Sequence, residues 1–248
     1  MKKTRAAHLL LCSCLGLIGL FTITACTVPV ATIQLGGSLN VFPTNQLFDI
    51  THIPDDWVGS DNIPKGAIFA TSTLGSNTIS VVSAAKQYHI ARRVQASLLA
   101  TPYLSWRWKL QPGKWKYHSV RIIVGFSDGS SSTPPEPTLF SKLSPGPALP
   151  PHDRVLSFLW APSALMRGNL KPIPNSGKSA KLEAHYTVRG GTENVGFWWH
   201  ETVDLASLYK LSWPSDAHSL VQVRFIGLNS IESQSQITTY LSDLRLSR

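Results

Sequence analysis

The sequence predicts an all-β protein, a single antiparallel β-sandwich of about ten strands and jelly-roll-like form, and three observations carry that expectation. Short runs of alternating apolar and polar residues recur from Ile68 onward, which is the two-residue period of strands with one buried face. Clusters of Gly, Pro, Ser and Asn separate these runs, and the 17 glycines and 17 prolines follow no period, which excludes collagen-like and heptad-repeat chains. With 43% apolar and 15% charged residues, the 248-residue chain has ample core material for one domain and is not an intrinsically disordered composition.

At the amino terminus, Lys2, Lys3 and Arg5 precede an apolar stretch from Leu9 to Ile23, which ends in Ile23-Thr24-Ala25-Cys26. A basic start, an apolar run too short for a membrane span and small residues before a cysteine form a lipoprotein export signal. Residues 1–25 are therefore expected to be removed and Cys26 to carry the lipid, diacylglycerol and palmitate, that anchors the chain to a bilayer. Thr27 rather than Asp follows the cysteine, which by analogy directs the protein to the periplasmic face of the bacterial outer membrane. Cys12 and Cys14 fall within the signal, so the mature chain keeps one cysteine and has no disulfide or thiolate metal site. The formal charge of +9 shrinks to +6 once three signal cations are removed.

Residues 26–63 read as a lipidated tether with a possible first strand, in which Phe48, Asp49 and Trp57 form an opening flap; residues 64–248 read as the sandwich. In the segment Tyr103 to Leu110, Leu104, Trp106, Trp108 and Leu110 share one face, and Tyr103, Ser105, Arg107 and Lys109 share the other. Val120, Ile122, Val124 and Phe126 repeat the pattern, as do Leu182, Ala184, Tyr186 and Val188. Further strands are expected at Thr78–Ser83, His89–Leu99, Arg154–Ala161, Val195–Val203, Leu220–Leu228 and Thr239–Leu246. Ser127 to Pro151 is rich in Pro, Ser and Gly and reads as a long surface loop, with a second loop from Gly168 to Lys178. A short helix fits residues 205–211, with Asp204 as its N-cap.

Catalytic motifs are weak in this chain. Gly125-Phe126-Ser127-Asp128-Gly129 spells a nucleophile elbow, but the Pro-rich run after it cannot begin the helix that elbow requires. Ser83-Ala84-Ala85-Lys86 and Ser60-Asp61-Asn62 spell two penicillin-recognising motifs in the reverse order, with no Lys-Thr-Gly to complete them. No phosphate-binding loop is present, since Pro172 stands where Gly177-Lys178-Ser179 would need its upstream glycine. None of the histidines of the mature chain are spaced as helical metal ligands, so no metal and no cofactor is expected. Dispersed basic residues and the export signal argue against a nucleic-acid partner.

Aromatic and cationic residues carry more information. Trp106 and Trp108 share a face with Leu104 and read as core, whereas Trp198, in the phase of His200 and Thr202, reads as an exposed platform of the kind on which sugar rings stack. Arg107, Arg121, Arg224 and Arg245 occupy outward strand positions.

In three segments, Pro102-Tyr103-Leu104-Ser105-Trp106-Arg107-Trp108-Lys109-Leu110, Arg121-Ile122-Ile123-Val124-Gly125-Phe126 and Arg154-Val155-Leu156-Ser157-Phe158-Leu159-Trp160, the chain resembles a family of exported bacterial proteins, domain of unknown function 3047. Val221 to Leu246 is similar to the closing strand pair of that family, and the resemblance covers about residues 65 to 248. It departs where relatives carry paired aspartates: this chain has Lys114-Trp115-Lys116-Tyr117-His118-Ser119 and Gly227-Leu228-Asn229-Ser230-Ile231-Glu232. If those acids hold a cation or act as acid and base in relatives, the resemblance implies that His118, Asn229 and Glu232 replace them here or that the capacity is lost.

The leading expectation is a membrane-anchored, non-catalytic binding module for a glycan or other polar ligand, with Arg107, Arg121, His118, Trp198, Arg224 and Asn229 as ligand-binding candidates. The alternatives are a polysaccharide lyase or hydrolase, using Glu201 or Asp243 with Arg121 or His118, and a scaffold for envelope protein partners.

Overall fold

The computed structural model of the chain describes residues 28–42, 49–73, 76–113, 118–128, 149–173, 183–233 and 235–248. The expected export signal, Cys26 and most of the segment read as a proline-rich loop therefore lie outside the described residues. The described residues hold fourteen strands: β1 (Ala31–Thr32), β2 (Ser38–Asn40), β3 (Trp57–Gly59), β4 (Ile68–Thr73), β5 (Ser76–Val82), β6 (Tyr88–Ser97), β7 (Tyr103–Leu110), β8 (Val120–Ser127), β9 (Arg154–Ala161), β10 (Leu170–Ile173), β11 (Glu183–Gly190), β12 (Trp199–Asp204), β13 (Gln222–Ser230) and β14 (Thr238–Ser247).

They form two sheets, as the period-two pattern predicts. The larger runs β1-β6-β13-β8-β9-β11-β10 with β3 also on β6; the smaller runs β12-β7-β14-β5-β4 with β2 on β14. Pairing is antiparallel except for β1 on β6 and β9 on β11. Between the sheets, Trp106 and Trp108 meet edge to face at 5.8 Å, and they reach across to Phe158 at 5.6 Å and Trp160 at 5.4 Å. All four rings are buried, which is the core role the alternation assigned to the tryptophans of β7.

The elements differ from expectation in three places. The segment read as a tether with a possible first strand holds three short strands, and it spans both sheets: β1 and β3 join the larger and β2 the smaller. Leu39, Val41 and Trp57 are buried there, so this stretch is part of the core. The expected loop after Gly168 contains β10, whose Pro172 cannot donate to a ladder; β10 is accordingly the edge strand of its sheet. The strand expected from Val195 begins at Trp199, because a 3-10 turn at Thr192–Asn194 and the left-handed Gly196, at φ 88°, keep the chain out of extended form until then.

The helix forms as anticipated: α1 spans Leu205–Ser212, and the Asp204 carboxylate accepts from the Ser207 amide at 2.9 Å. Among the described residues no helix is long and apolar enough to cross a membrane.

The larger sheet carries apolar packing on its second face as well. Val58, Ala91, Ile123, Val155 and Phe225 form a smaller cluster there with Leu149, so residues on this face are far less solvated than a two-layer sandwich suggests. Gly227 lies within this face between Ala91 and Ile123, and a Cβ there would stand 2.2 Å from the Ile90 carbonyl oxygen. Both neighbours belong to the ladder, so Gly227→Ala is expected to lose roughly 1–3 kcal/mol by forcing β6 and β13 apart. Chemical denaturation of the variant checks this; an unchanged midpoint contradicts it.

Candidate functional site

The candidate residues divide between the two outer faces. On β7, Leu104, Trp106, Trp108 and Leu110 point inward, which leaves Arg107 and Lys109 on the outside of the smaller sheet. Trp199 pairs with Trp108, so Trp198, one residue before β12, comes beside Lys109. The Arg107 guanidinium carbon lies 5.5 Å and the Lys109 ammonium 5.8 Å from the centre of the Trp198 ring. Lys109 is also 5.1 Å from the centre of Tyr240, its cross-strand partner on β14. Ser80 and Phe69 follow in register on β5 and β4. The result is a row Trp198, Lys109, Tyr240, Ser80, Phe69 across five strand positions, roughly 19 Å long at the usual spacing between strands. Trp198 and Tyr240 are half-buried, Phe69 is exposed, the intervening Ser80 is wholly buried, and Arg107 also lies 3.9 Å from the Asp243 carboxylate.

Arg121 and Asn229 belong to the other sheet, and His118 lies two residues before β8 of that sheet. Arg121 and Asn229 are cross-strand partners on its outer face. Asn229 is wholly buried and accepts from Gln87 at 3.4 Å. Arg121 is half-buried, its Nη1 donates to His185 Nε2 at 3.3 Å, and its Nε is buried with no hydrogen-bond partner among the described residues. Burial pulls the Arg121 guanidinium below its usual value, while the charge of Glu183 acts in the opposite direction. His118 is buried at 3.2 Å from the Val120 carbonyl and 3.1 Å from the Thr239 hydroxyl. Desolvation holds both His118 and His185 down at about 4, so both rings are neutral at pH 7. A cavity of about 460 Å³ opens at Arg121, His118 and His185, walled by the β9–β10 connection.

Arg224 joins neither group: it falls at the β13 bulge between Val223 and Phe225, half-buried. The structure thus brings Arg107 to Trp198 and Arg121 to Asn229, and it puts the two pairs on opposite sheets. Glu201, offered as a catalytic acid, points into the interior. Its Oε1 accepts from Arg189 Nε at 2.5 Å and from Trp108 Nε1 at 3.3 Å. Asp243 stands on the outside of the smaller sheet, away from the Arg121 cavity.

Lys109, Tyr240 and His185 were not singled out from the sequence. Period-two phase places Lys109 and Tyr240 outward, but only strand register shows that they adjoin Trp198. Among the described residues no group of three His, Cys, Asp or Glu side chains is arranged to hold a metal ion.

No family model matches the chain, and no curated protein matches its sequence. Among solved structures, an agarase is similar at 12% identity and a TM-score of 0.34 over 85% of this chain, which spans 24% of the length of that enzyme. A family 12 xyloglucanase from Bacillus licheniformis is similar at 8% identity and 0.42, covering 85% of this chain and 98% of its own. A carbohydrate-binding module described for specific mannan recognition is similar at 11% identity and 0.32, covering 83% and 98%.

Proposed function

We propose that the mature chain is a lipid-anchored envelope protein whose sandwich binds an anionic glycan, without turning it over, along the outer face of the smaller sheet. The observation that carries this reading is the row from Trp198 to Phe69 with Arg107 and Lys109 set against the Trp198 indole. Aromatic rings offer flat apolar faces to the C–H side of sugar rings, and the two cations supply partners for carboxylates along the polymer. The mature charge of +6 favours the same ligand class by long-range attraction. Affinity for a uronic-acid polymer is expected to exceed that for a neutral glucan and to fall with salt. Trp198→Ala is expected to weaken it about tenfold, a loss of about 1.4 kcal/mol. Calorimetry with both polymers tests this, and no binding to either refutes the reading.

The anchor at Cys26 rests on the amino-terminal signal, and the resemblance to domain of unknown function 3047 rests on the strand motifs between Pro102 and Trp160. Only four residues separate Cys26 from Ala31 at the start of β1, and the five steps between them reach about 17 Å when fully extended. A domain so tethered stays close to its bilayer. Cys26→Ser should move the protein from the membrane to the soluble fraction, and mass spectrometry of the amino-terminal peptide should show the lipid.

A further inference from the structure

The cavity on the larger sheet is independent of the Trp198 face and is built for a different task. Its floor is the outer face of β8, β9 and β11, where Leu159 pairs with Thr187 and Arg121 reaches His185. Its wall is the β9–β10 connection, fixed at several points. The Thr187 amide donates to the Asn169 carbonyl at 2.9 Å, the Gly168 amide donates to the Thr187 carbonyl at 2.8 Å, and Arg167 Nε donates to the Val188 carbonyl at 3.1 Å. At its base a Cβ on Gly190 would lie 2.2 Å from the Ser163 carbonyl oxygen, so the connection packs against bare backbone. Such a wall is preformed rather than assembled by a ligand.

The lining divides by chemistry. Leu159, Pro162, Met166 and Leu170 supply an apolar side; Arg121, with Lys171 cross-strand from His185, supplies positive charge. The neighbouring imidazoles of His118 and His185 are neutral at pH 7 and so neither add to that charge nor cancel it. Glu183 lies further along the same face and offsets part of the charge from there. Arg121 is the informative group: Nη1 is spent on an imidazole nitrogen, a weak partner for a cation, and the Nε, closed off from solvent, has none, so an anion in the cavity meets the terminal end of the guanidinium. A guanidinium held so incompletely satisfied beside an open volume of about 460 Å³ is a carboxylate receptor in wait of its anion.

We propose that this cavity is a second binding site, which takes the carboxylate of a small organic acid on Arg121 and its ring-sized, partly apolar body against Leu159 and Met166. Lys171 at the rim strengthens attraction without fixing geometry. The site stands whether or not the smaller sheet binds a polymer.

Four probes test it on the mature protein by ligand-observed NMR and calorimetry: benzoate and galacturonate, with benzamide and galactose as their uncharged counterparts. At least one acid is expected to bind while its counterpart does not. Arg121→Gln is expected to weaken that binding tenfold or more. Met166→Trp, which fills the mouth from a partly exposed position, should do the same, whereas Trp198→Ala should leave it unchanged. Because Arg121→Gln alters a buried position, Met166→Trp together with Lys171→Ala carries the test if that variant does not fold. The proposal is overturned if neither acid binds at millimolar concentration, if the uncharged counterparts bind equally, if inorganic phosphate competes as well as the acids, or if binding survives the blocked mouth. Polygalacturonate binding that Trp198→Ala weakens about tenfold while benzoate or galacturonate binding is unchanged separates this site from the polymer face.

Discussion

Replacing Glu201 by alanine is expected to destabilise the fold by about 3–5 kcal/mol, a large share of the net stability of a single domain. Glu201 extends from β12, the edge of the smaller sheet, and Arg189 from β11 of the larger, so their ion pair joins the two sheets at one margin of the core. Both side chains are almost fully withdrawn from solvent, at 2% and 10% exposure, and the guanidinium also stacks 3.8 Å from the centre of Trp199. Alanine at position 201 strands that guanidinium and the Trp108 indole N–H in a space closed to water, and the exposed Arg167, 3.8 Å from Oε2, cannot follow them inward. The comparison that isolates this cause is the double replacement Glu201→Leu with Arg189→Met. It removes both charges, and its denaturation midpoint should recover most of the loss. A double variant as unstable as Glu201→Ala would show that the stranded charge does not set the cost. The same geometry bears on any hydrolase reading: a loss of turnover in a Glu201 variant would have to be separated from a loss of fold.

Local alternation made most of this architecture legible, because a strand's period is fixed by backbone geometry and a run such as Leu104 to Leu110 reveals which side chains share a face. It does not reveal which sheet the strand joins. Arg107 and Arg121 look equivalent in sequence, yet register carries Arg107 to Trp198 on one sheet and Arg121 to Asn229 on the other. β10 escaped notice because Pro172 breaks a strand pattern everywhere except at an edge. Arg189 was hidden by a bulge: the register slips between Thr187 and Arg189, which turns Arg189 into the phase of the buried Trp160. Glu201 was the more readable partner, since it alternates with His200 and so shares the inward phase of Trp199 and Val203. The Arg121 cavity was the least readable, for its wall comes from a connection with no periodic signal of its own.

Acidification from pH 7 to pH 4 is expected to melt the protein well before its carboxylates are neutralised in bulk, and buried histidines set that range, with His152, which burial also lowers, adding to the three that follow. His89, His118 and His185 are each held down at about 4 by desolvation, against an ordinary value of 6.5. Between those values the unfolded chain binds protons that the folded chain refuses, so stability falls as pH drops below about 6.5 and the loss levels off below about 4. A difference of this size corresponds to roughly 3 kcal/mol for each histidine, and the three together rival the whole net stability. Their surroundings explain why no proton is accommodated. His89 Nδ1 is engaged by the Ser60 hydroxyl at 2.9 Å, the Arg121 cation disfavours a proton on both His185 and His118, and the Val120 carbonyl, which favours one on His118, does not offset the burial of that ring. Melting temperature followed at fixed ionic strength should therefore drop steeply between pH 6.5 and 4. His118→Asn, which keeps a donor near the Val120 carbonyl but does not titrate, should flatten that slope by about one proton's share even though it costs some stability at pH 7. A slope that His118→Asn leaves unchanged, or a midpoint near pH 3, would assign the transition to carboxylates and remove the buried imidazoles from the account.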